Sequence, residues 1–409
     1  MNVIVVHNFY QQPGGEDQVF ADETALLESR GHRVIRYTVH NDAINQTHAL
    51  TIAGRSIWNR AAHAELLNLV MNERANIVHF HNTFPMLSPA VYDAARSGGA
   101  AVVQTLHNYR LMCPSAIFFR DGHVCEDCQG RSVPWPGVLH KCYRDSYAAS
   151  AVSATMLAVH RARGTYRHDV DAYIALTEFA RGKFVDAGLP VEKIIVKPNF
   201  VWPDPGVAGG GGGYILFVGR LSESKGVGTL LSAWKKLGAA IPLKIMGDGE
   251  LAPAVRDAAA GDSRIEWLGR RPLDEVYHRM GEAAALVFPS LWYEGLPKTI
   301  IESFAKGTPV IASRLGSMAE LIADGRTGVH FTAGDSDDLA AAVGRLLADA
   351  NRLQSMRLEA RKEFEARYTA DQNARMLSAV YDSALRRRES AQHERSISPV
   401  PASTPASDR

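Results

Sequence analysis

The segment over residues 284–312 constrains the fold of this chain more than any other stretch. It opens with an apolar run, 284–288, which predicts a buried parallel strand. Pro297 suits the first position of a following helix, because its missing N–H would have no partner there. Apolar residues then recur at helical spacing: Ile300, Ile301, Phe304 and Ala305. A Gly-Thr-Pro turn ends the helix before a second strand over 310–312, so the segment predicts a strand–helix–strand unit.

The backbone between this strand and this helix predicts an anion site. N–H groups at a helix N-terminus lack intrahelical partners, and open α/β sheets bind ligands beyond the carboxyl ends of their strands. The positions concerned are Gly295, Leu296, Lys298 and Thr299. Two carboxylates flank them, Glu294 in the loop and Glu302 in the helix. Spacing alone leaves two interpretations of Glu302 open: an exposed helix carboxylate, or an acceptor for sugar hydroxyl groups.

The spacing Glu294-x7-Glu302 occurs with Gly-Leu-Pro after the first glutamate and Gly-Thr-Pro-Val after the second. This pattern resembles the signature of the retaining glycosyltransferases of family 4. The resemblance implies that Glu302 grips the ribose of a nucleotide and that Glu294 faces the donor sugar. It also implies the GT-B fold, an α/β architecture of two doubly wound, Rossmann-like domains that face each other across a cleft. The resemblance runs from residue 1 to about residue 385.

The N-terminus has the pattern of the first strand–loop–helix unit of such a domain. An apolar strand over 3–6 leads to a loop containing Gly14 and Gly15, and a helix is predicted from near Glu16. Paired glycines are common in ordinary loops, but the position after a first strand favours a phosphate loop. Gly15 resembles the family's N-terminal glycine loop. Glu16 is interpreted as a first-turn carboxylate and as a candidate for the acceptor side.

Two histidines follow further predicted strands. The segments 76–82 and 100–108 each predict a strand with its exit loop, and they place His81 and His107 at the carboxyl ends. A single histidine is more often a satisfied polar residue than a catalyst, but two at one edge favour a site. His107 resembles the family's histidine that contacts the donor sugar, which makes it a catalytic candidate with Glu294. His81 is a candidate for the acceptor side.

All four cysteines fall in an insert over 113–144: Cys113, Cys125, Cys128 and Cys142. The middle two form a C-x2-C knuckle. Disulfides are not expected in a reducing compartment. The spacing leaves two interpretations open: one tetrahedral structural zinc, or four reduced thiols packed in a loop lid. Because the insert follows His107, we expect it to wall the acceptor side of the cleft.

The second half of the chain predicts a diphosphate site. Arg220 and Lys225 follow an apolar strand, and a guanidinium can bind a diphosphate bidentately. Either cation alone would be read as a surface charge, but the pair G-R-x4-K-G resembles the family's pyrophosphate clamp. The glycine run 209–213 before this strand is interpreted as a plain linker. The resemblance also puts three later loop residues beside the nucleotide base: Gly247, Gly249 and Arg270.

The predicted domain boundaries follow from these units: 1–197 as the acceptor-binding domain, 198–365 as the nucleotide-sugar domain, 366–385 as a helix crossing back to the first domain, and 386–409 as a disordered tail. A net charge of +1 over 409 residues gives no bias toward nucleic acid. No apolar run reaches the roughly 18 residues of a membrane span. The N-terminus lacks a signal-peptide pattern, so we expect the cytoplasm, with the inner face of the membrane as a second location.

The sequence therefore predicts a transferase that moves a sugar from a nucleotide-diphosphate sugar to a hydroxyl of a glycan or lipid-linked sugar acceptor. Fixed cations at the diphosphate would leave no need for a catalytic metal, so the only predicted metal is the structural zinc. Peripheral membrane contact is an alternative for the basic end of a helix at Arg161, Arg163, Arg167 and His168, where a solvated surface is the simpler interpretation. Two rival functions stay open: a GT-B phosphorylase or sugar-nucleotide hydrolase, and a non-catalytic nucleotide-sugar-binding protein.

Overall fold

The computed structural model describes residues 1–11, 14–238 and 241–397. Two predictions fall partly outside these ranges: the N-terminal loop at Gln12 and Pro13, and the tail over 398–409. The strands in chain order are β1 (Asn2–Phe9), β2 (Arg33–His40), β3 (Ile77–Phe80), β4 (Ala101–Leu106), β5 (Phe119–Arg120), β6 (His123–Val124), β7 (Ala172–Ala175), β8 (Ile194–Val196), β9 (Ile215–Val218), β10 (Leu243–Met246), β11 (Ile265–Gly269), β12 (Ala285–Phe288), β13 (Val310–Ser313) and β14 (Gly328–Phe331).

The helices in the first half are α1 (Gly15–Ser29), α2 (Ala49–Ile57), α3 (Arg60–Glu73), α4 (Ala90–Ser97), α5 (Trp135–Leu139), α6 (Tyr147–Ala162), α7 (Thr165–His168) and α8 (Glu178–Asp186). Those in the second half are α9 (Val227–Lys236), α10 (Ala252–Gly261), α11 (Leu273–Glu282), α12 (Lys298–Ala305), α13 (Gly316–Leu321), α14 (Ser336–Leu347), α15 (Ala350–Arg367) and α16 (Ala370–Ile397). None of the helices in the described ranges combines the length and apolarity needed to cross a bilayer.

Two parallel six-stranded sheets organise these elements. The first has the order β2-β1-β3-β4-β7-β8, and the second has the order β11-β10-β9-β12-β13-β14. Strands β3, β4 and β7 are buried along their whole length, as expected where helices cover both faces of a parallel sheet. Strand order reverses between β1 and β3 in the first sheet and between β9 and β12 in the second. Ligands of doubly wound sheets bind beyond the carboxyl ends of the strands at such a point.

The helix predicted after β12 is present and buries its expected face. Ile300, Ile301 and Phe304 are fully buried, which confirms the predicted apolar stripe. The prediction for Pro297 was off by one position. Pro297 is the N-cap, with an extended ψ of 114°, and α12 begins at Lys298. A proline fits the N-cap because it has no backbone N–H group, and an N–H group at this position would have no helical hydrogen bond to make.

The interpretation of the glycine run 209–213 as a plain linker was wrong. The N–H groups of Gly210 and Gly212 donate to the carbonyls of Gly281 and Glu282, at 3.0 and 2.9 Å. A Cβ on Gly210, whose φ is +72°, would lie 2.4 Å from the buried Arg357 guanidinium. The run is therefore packed against the end of α11, and its lack of side chains permits that close approach.

The C-terminal predictions also need correction. The helix predicted over 366–385 is α16, which begins at Ala370 and packs against β4 and β7 of the first sheet. Residues 386–397 continue α16, so the predicted disorder is wrong for this part of the tail. Arg387 donates to the carbonyl of Asp171 at 3.1 Å, and the buried Arg388 donates to the carbonyl of Arg96. Long charged side chains here bind backbone carbonyls, which composition alone did not indicate.

Candidate active site

The loop before α12 contacts the first domain directly. A Cβ on Gly295 would lie only 2.6 Å from the carbonyl oxygen of His107, so a side chain at this position would separate the two loops. The Tyr109 hydroxyl donates to the carbonyl of Glu294 at 3.3 Å. The N–H groups of the first turn of α12 precede any intrahelical acceptor, which makes this turn the positive end of the helix dipole. Loops of the two domains thus meet at the predicted anion site.

Glu294 and Lys225 form an ion pair at this site. Their Oε1 and Nζ atoms lie 2.6 Å apart, and the Ser290 hydroxyl donates to the same carboxylate oxygen at 2.6 Å. Glu294 is buried, and Lys225 is partly exposed. The structure therefore brings together one residue predicted to face the sugar and one predicted to hold the diphosphate. Ser290 was missed by the sequence analysis, although it stands at the carboxyl end of β12.

Arg220 follows β9, the strand beside β12. Its side chain is exposed, and it forms no ion pair within the described part of the chain. Gly226 ends the same loop with a φ of +70°, and a Cβ there would lie 1.8 Å from the carbonyl oxygen of Pro289. Only glycine allows this approach, which holds the Lys225 loop against the end of β12. The predicted clamp residues therefore lie at the reversal point of the second sheet.

Glu302 is buried on α12, so it is not the exposed helix carboxylate that spacing had left open. Burial raises the pKa of its carboxyl group, while the nearby Lys298 ammonium and a hydrogen bond from Tyr277 act to lower it. Lys298 Nζ in turn lies 2.5 Å from Asp22 Oδ2 on α1 of the first domain. A buried carboxylate with few donors is suited to accept hydrogen bonds from a ligand's hydroxyl groups.

The loops after β10 and β9 pack tightly through two glycines. A Cβ on Gly247 (φ +144°) would lie 1.8 Å from the carbonyl oxygen of Gly219, and one on Gly249 (φ +157°) would lie 2.5 Å from that of Leu221. These glycines therefore bring the predicted base loop onto the loop that carries Arg220. Arg270, after β11, is exposed. The contact of these three residues with a nucleotide base stays a prediction.

Four polar groups form a continuous buried chain behind the cleft in the first domain. His107 Nε2 lies 2.9 Å from His81 Nδ1, and His81 Nε2 lies 3.3 Å from Glu23 Oε2. Glu23 Oε1 lies 2.5 Å from Lys197 Nζ. His81 thus contacts His107 in the buried interior rather than standing free on the acceptor side. Sequence analysis missed Glu23 and Lys197, which no local motif marks.

Glu16 sits at the start of α1 with a perturbed carboxyl group. Asn108 Nδ2 donates to its Oε2 at 3.2 Å, and Tyr10 also hydrogen-bonds to it. Burial, and then the neighbouring Asp17 charge, raise the pKa of Glu16 to about 8. Gly15 is exposed beside it and has open space where a side chain would be. Both residues lie at the reversal point of the first sheet, facing the side where an acceptor is predicted.

The cysteine insert reaches the second domain. Its hairpin, β5 and β6, turns at Gly122, and a Cβ there would lie 3.2 Å from the Glu223 carboxylate. Phe118 packs edge-on against Tyr293, the residue before Glu294, with ring centroids 6.3 Å apart. Lys183 pairs with Glu126 of the insert at 2.6 Å. The insert therefore lines the cleft beside Glu294.

The four thiols do not form a zinc site as they stand. All four are free of disulfides, and no three of their sulfur atoms lie within 4.8 Å of one another. Burial, and then the nearby Cys113, raise the pKa of the Cys128 thiol to about 12. The sulfur positions thus fit the packed-lid interpretation better than a tetrahedral centre.

Comparison with known proteins agrees with this architecture. HepE of Anabaena, solved in complex with UDP-glucose, aligns with a TM-score of 0.64 at 15% identity over 93% of this chain and all of that chain. The fold is GT-B. Residues 212–349, in the second half of this chain, match the family model described as Glycosyl transferases group 1. This GT-B segment carries Arg220, Lys225, Glu294 and Glu302.

Curated relatives match this GT-B chain over part of their length. The uncharacterized glycosyltransferase MJ1178 of Methanocaldococcus jannaschii is 31% identical over 169 residues, covering 41% of this chain and 47% of that protein. The amylovoran biosynthesis glycosyltransferase AmsK of Erwinia amylovora is 30% identical over 179 residues, covering 41% and 44%. The chain thus spans less than half the length of these two relatives. Both relatives are named as glycosyltransferases.

Proposed function

We propose that this chain is a retaining glycosyltransferase of family 4. It transfers a sugar from a UDP- or GDP-sugar to a hydroxyl of a glycan or glycolipid acceptor in polysaccharide biosynthesis. The observation that carries the proposal is the grouping of the Lys225–Glu294 pair, the exposed Arg220 and the buried Glu302 around the start of α12. The UDP-glucose bound by HepE and the amylovoran pathway of AmsK support the donor class and the biosynthetic setting.

The first task of such an enzyme is to stabilise a leaving nucleoside diphosphate. Arg220 donates a guanidinium to the phosphates, and the N-terminus of α12 adds backbone N–H groups and the positive end of its dipole. When the diphosphate binds, Lys225 can share its ammonium between the phosphate and Glu294, from which it is 2.6 Å away. These fixed positive groups neutralise the charge that develops on the leaving oxygen, which is the electrostatic role a metal ion would otherwise have.

The second task is to hold the sugar while its anomeric bond breaks. Glu294 and His107 lie on opposite sides of the contact between the two loops, Glu294 from the second domain and His107 from the first. Both orient the sugar hydroxyls in this proposal, and neither attacks the anomeric carbon. The acceptor hydroxyl approaches on the face of the leaving diphosphate, whose oxygen takes its proton as an oxocarbenium-like centre forms. The old glycosidic bond to phosphate breaks, the new bond to the acceptor forms on the same face, and configuration is retained.

A thermal-shift screen against UDP-, GDP- and ADP-sugars tests the donor class. A ligand that binds only the native state raises the melting temperature. A rise with a UDP- or GDP-sugar in the wild type, reduced in Arg220→Ala, is the expected result. Stabilisation by none of these donors would contradict the proposal. Turnover assays then separate the rivals, because phosphorolysis or donor hydrolysis without transfer would replace the transferase by another GT-B reaction, and binding without turnover would indicate a sensor.

Proton NMR of the new linkage tests the stereochemistry. An α-linked donor should give an α-anomeric signal in the first product formed. Hydrolysed donor in a reaction without acceptor is the control for spontaneous anomerisation. A β-linked product would require a general base on the far face of the sugar, and it would reject both the mechanism and the family 4 assignment.

Membrane contact is proposed for the insert and not for the basic helix end, where it was the alternative to a solvated surface. Arg161 donates to backbone carbonyls, including that of Leu111 at 2.8 Å, and Arg163 stacks on Trp58.

Exposed apolar side chains instead cluster on and beside α5: Val133, Trp135, Leu139 and Tyr147. Arg131 and Lys141 lie against the Trp135 and Tyr147 rings, so the patch combines interfacial aromatics with cations. Cosedimentation with anionic vesicles, lost in Trp135→Ser/Leu139→Ser, is expected; equal sedimentation of both proteins would reject it.

A further inference from the structure

Four polar side chains of the first domain contact one another in series: His107, His81, Glu23 and Lys197. Glu23 comes from α1, His81 and His107 follow β3 and β4, and Lys197 follows β8, so four separate elements meet here. Glu23, His81 and Lys197 are each almost completely buried, whereas His107 is partly exposed. His107 Nδ1 has no hydrogen-bond partner in the described part of the chain, and it is not one of the buried unpaired atoms. His107 is the point where this chain reaches solvent or substrate.

The charges of these four side chains can be argued by starting from Glu23 and Lys197. Burial alone would raise the pKa of the Glu23 carboxyl. The Lys197 ammonium and the contact with His81 outweigh burial and hold this pKa well below its usual range. Glu23 is therefore an anion and Lys197 a cation, and the pair is already neutral. A second buried cation on His81 would have no anion of its own, which is costly in a dry interior. Burial holds the pKa of His107 well below its usual range, so His107 is also neutral.

Neutral rings leave one consistent arrangement of protons. A carboxylate only accepts hydrogen bonds, so the nitrogen facing it, His81 Nε2, carries the proton of that ring. The 3.3 Å contact between His81 Nε2 and Glu23 Oε2 is not aligned as a regular hydrogen bond, but neither atom has another partner in the described part of the chain. His81 Nδ1 is then an acceptor, and His107 Nε2, 2.9 Å away, must be the donor. The remaining nitrogen, His107 Nδ1, is left with a lone pair that can accept a hydrogen bond.

We propose that Glu23 and His81 are positioning residues that fix the tautomer of His107, so that its Nδ1 accepts a hydrogen bond from a hydroxyl of the bound sugar. The sugar in this statement rests on the proposed function, whereas the tautomer does not. The other groups around the chain are accounted for separately. His79 binds Thr105 and Tyr381 through its two nitrogens, His7 binds Asp17, and Asn373 Oδ1 lies 3.3 Å from Lys197 Nζ.

A metal ion is the competing explanation for this cluster. Glu23, His79 and His81 offer ligand atoms that all lie within 4.8 Å of one another. The Lys197 ammonium, however, lies 2.5 Å from the same carboxylate, and both nitrogens of His79 already have partners. A divalent cation would have to displace Lys197 from Glu23. The described geometry therefore favours the hydrogen-bonded chain.

The tautomer can be read directly by two-bond ¹⁵N–¹H correlation NMR on full-length protein labelled at histidine nitrogens. The His107 signals are assigned by their loss in His107→Gln. The wild type should show a protonated Nε2 and an unprotonated Nδ1 for His107, before and after EDTA treatment. A protonated Nδ1 in the wild type, or a change of the His81 signals on chelation, would overturn the proposal. This measurement needs no substrate, so it stands whatever reaction the protein performs.

Variants then test whether Glu23 sets the tautomer. In Glu23→Gln, Lys197 attracts the amide oxygen, which turns the amide NH₂ toward His81 Nε2 and should invert the proton arrangement of both rings. In Glu23→Gln/Lys197→Met that attraction is gone, so the oxygen can face His81 and the wild-type tautomer should return. Glu28→Gln is the matched control, because Glu28 lies on the same helix as Glu23 and forms an exposed ion pair with Arg36. An unchanged His107 tautomer in a folded Glu23→Gln protein would overturn the positioning role.

Kinetics supply the second readout. Inversion of the tautomer should lower kcat about five- to tenfold in Glu23→Gln, the equivalent of roughly one lost hydrogen bond, and the double variant should recover most of it. Nucleotide affinity should be the same in all three proteins, because Arg220 and Glu302 lie in the other domain. If the NMR result holds but kcat is unaffected, His107 does not contact the reacting sugar and the positioning role fails. If no donor is turned over by the wild type, the proposed function fails while the tautomer assignment remains.

Discussion

At the scale of single residues, Glu302 is the buried carboxylate whose predicted partner is a ribose. Glu302→Ala should weaken binding of the free nucleoside diphosphate by roughly 1.5–3 kcal/mol, the range for a hydrogen bond to a charged group. Isothermal titration calorimetry measures this directly. Asp274→Ala, an exposed carboxylate in the first turn of α11, is the control and should bind normally. Equal affinity in Glu302→Ala and wild type would remove Glu302 from the nucleotide site.

Arg220 and Lys225 should separate in their effects, although both are predicted to bind the diphosphate. Arg220 is exposed, so Arg220→Ala should lose affinity for the nucleoside diphosphate, but not for the nucleoside, and keep its melting temperature. Lys225→Ala also leaves the buried Glu294 without its cation, and we expect a further loss of about 1–3 kcal/mol of stability. Calorimetry and thermal melts of both variants make the comparison. An equal loss for nucleoside and nucleoside diphosphate would mean that the residues act only through folding.

Glu16 gives a prediction in pH. Its pKa is about 8 in the folded chain against an ordinary value of 4.5, so between these values the folded state holds a proton that the unfolded state has released. Stability contributed by this group must therefore fall as pH rises from about 5 to 8. Glu16→Gln removes the titration. Its melting temperature should match the wild type near pH 4 and exceed it at pH 8. Parallel melting curves at both pH values would show that Glu16 ionises normally.

At the scale of elements, the sequence and the structure of the cysteine insert lead to different expectations about bound zinc. The C-x2-C spacing predicts one structural zinc, whereas the sulfur atoms stand too far apart to share an ion. Elemental analysis of protein purified without chelators distinguishes them, because a zinc centre requires about one metal per chain. From the geometry we expect no stoichiometric zinc and four thiols that react on unfolding. One zinc per chain would show that the insert closes around the ion.

The end of α16 gives a second element-scale prediction. Arg387 and Arg388 anchor this helix to carbonyls of the first domain, and Arg388 is buried. A chain ending at Leu385 loses both contacts and should melt at a lower temperature than the full chain. A chain ending at Ile397 keeps both contacts and is the matched control. Identical melting of the two truncations would mean that these arginines add nothing to stability.

At the scale of the whole molecule, contacts between distant segments join the two sheets around the cleft. Glu320 of α13 accepts hydrogen bonds from the first N–H groups of α8, at Glu178 and Phe179, as expected for an anion at a helix N-terminus. The Lys298–Asp22 pair joins the same two domains on the other side of α12. In the proposed reaction, residues of both domains act on one sugar because these contacts bring the two reversal points together.

The sequence by itself determined the local units. Apolar runs followed by glycine loops predicted the buried parallel strands, and the E-x7-E segment predicted both the α12 anion site and the importance of Glu302. These signals are readable because strand, turn and helix depend on residues a few positions apart. Resemblance to a family then supplied the pairing of the two domains and the residues of the clamp. Residues 49–73 were left without a prediction and form α2 and α3.

Only the tertiary structure decided which distant residues share one environment. Lys197 reaches Glu23 across 174 positions of sequence, and no periodicity marks either residue as a partner of His81 and His107. The same holds for Arg388, which composition assigned to a disordered tail, and for Glu294, whose burial against Lys225 depends on two strands lying side by side. The physical reason is that the ionisation of a buried group depends on the charges packed around it. Those neighbours are set by how the whole chain folds.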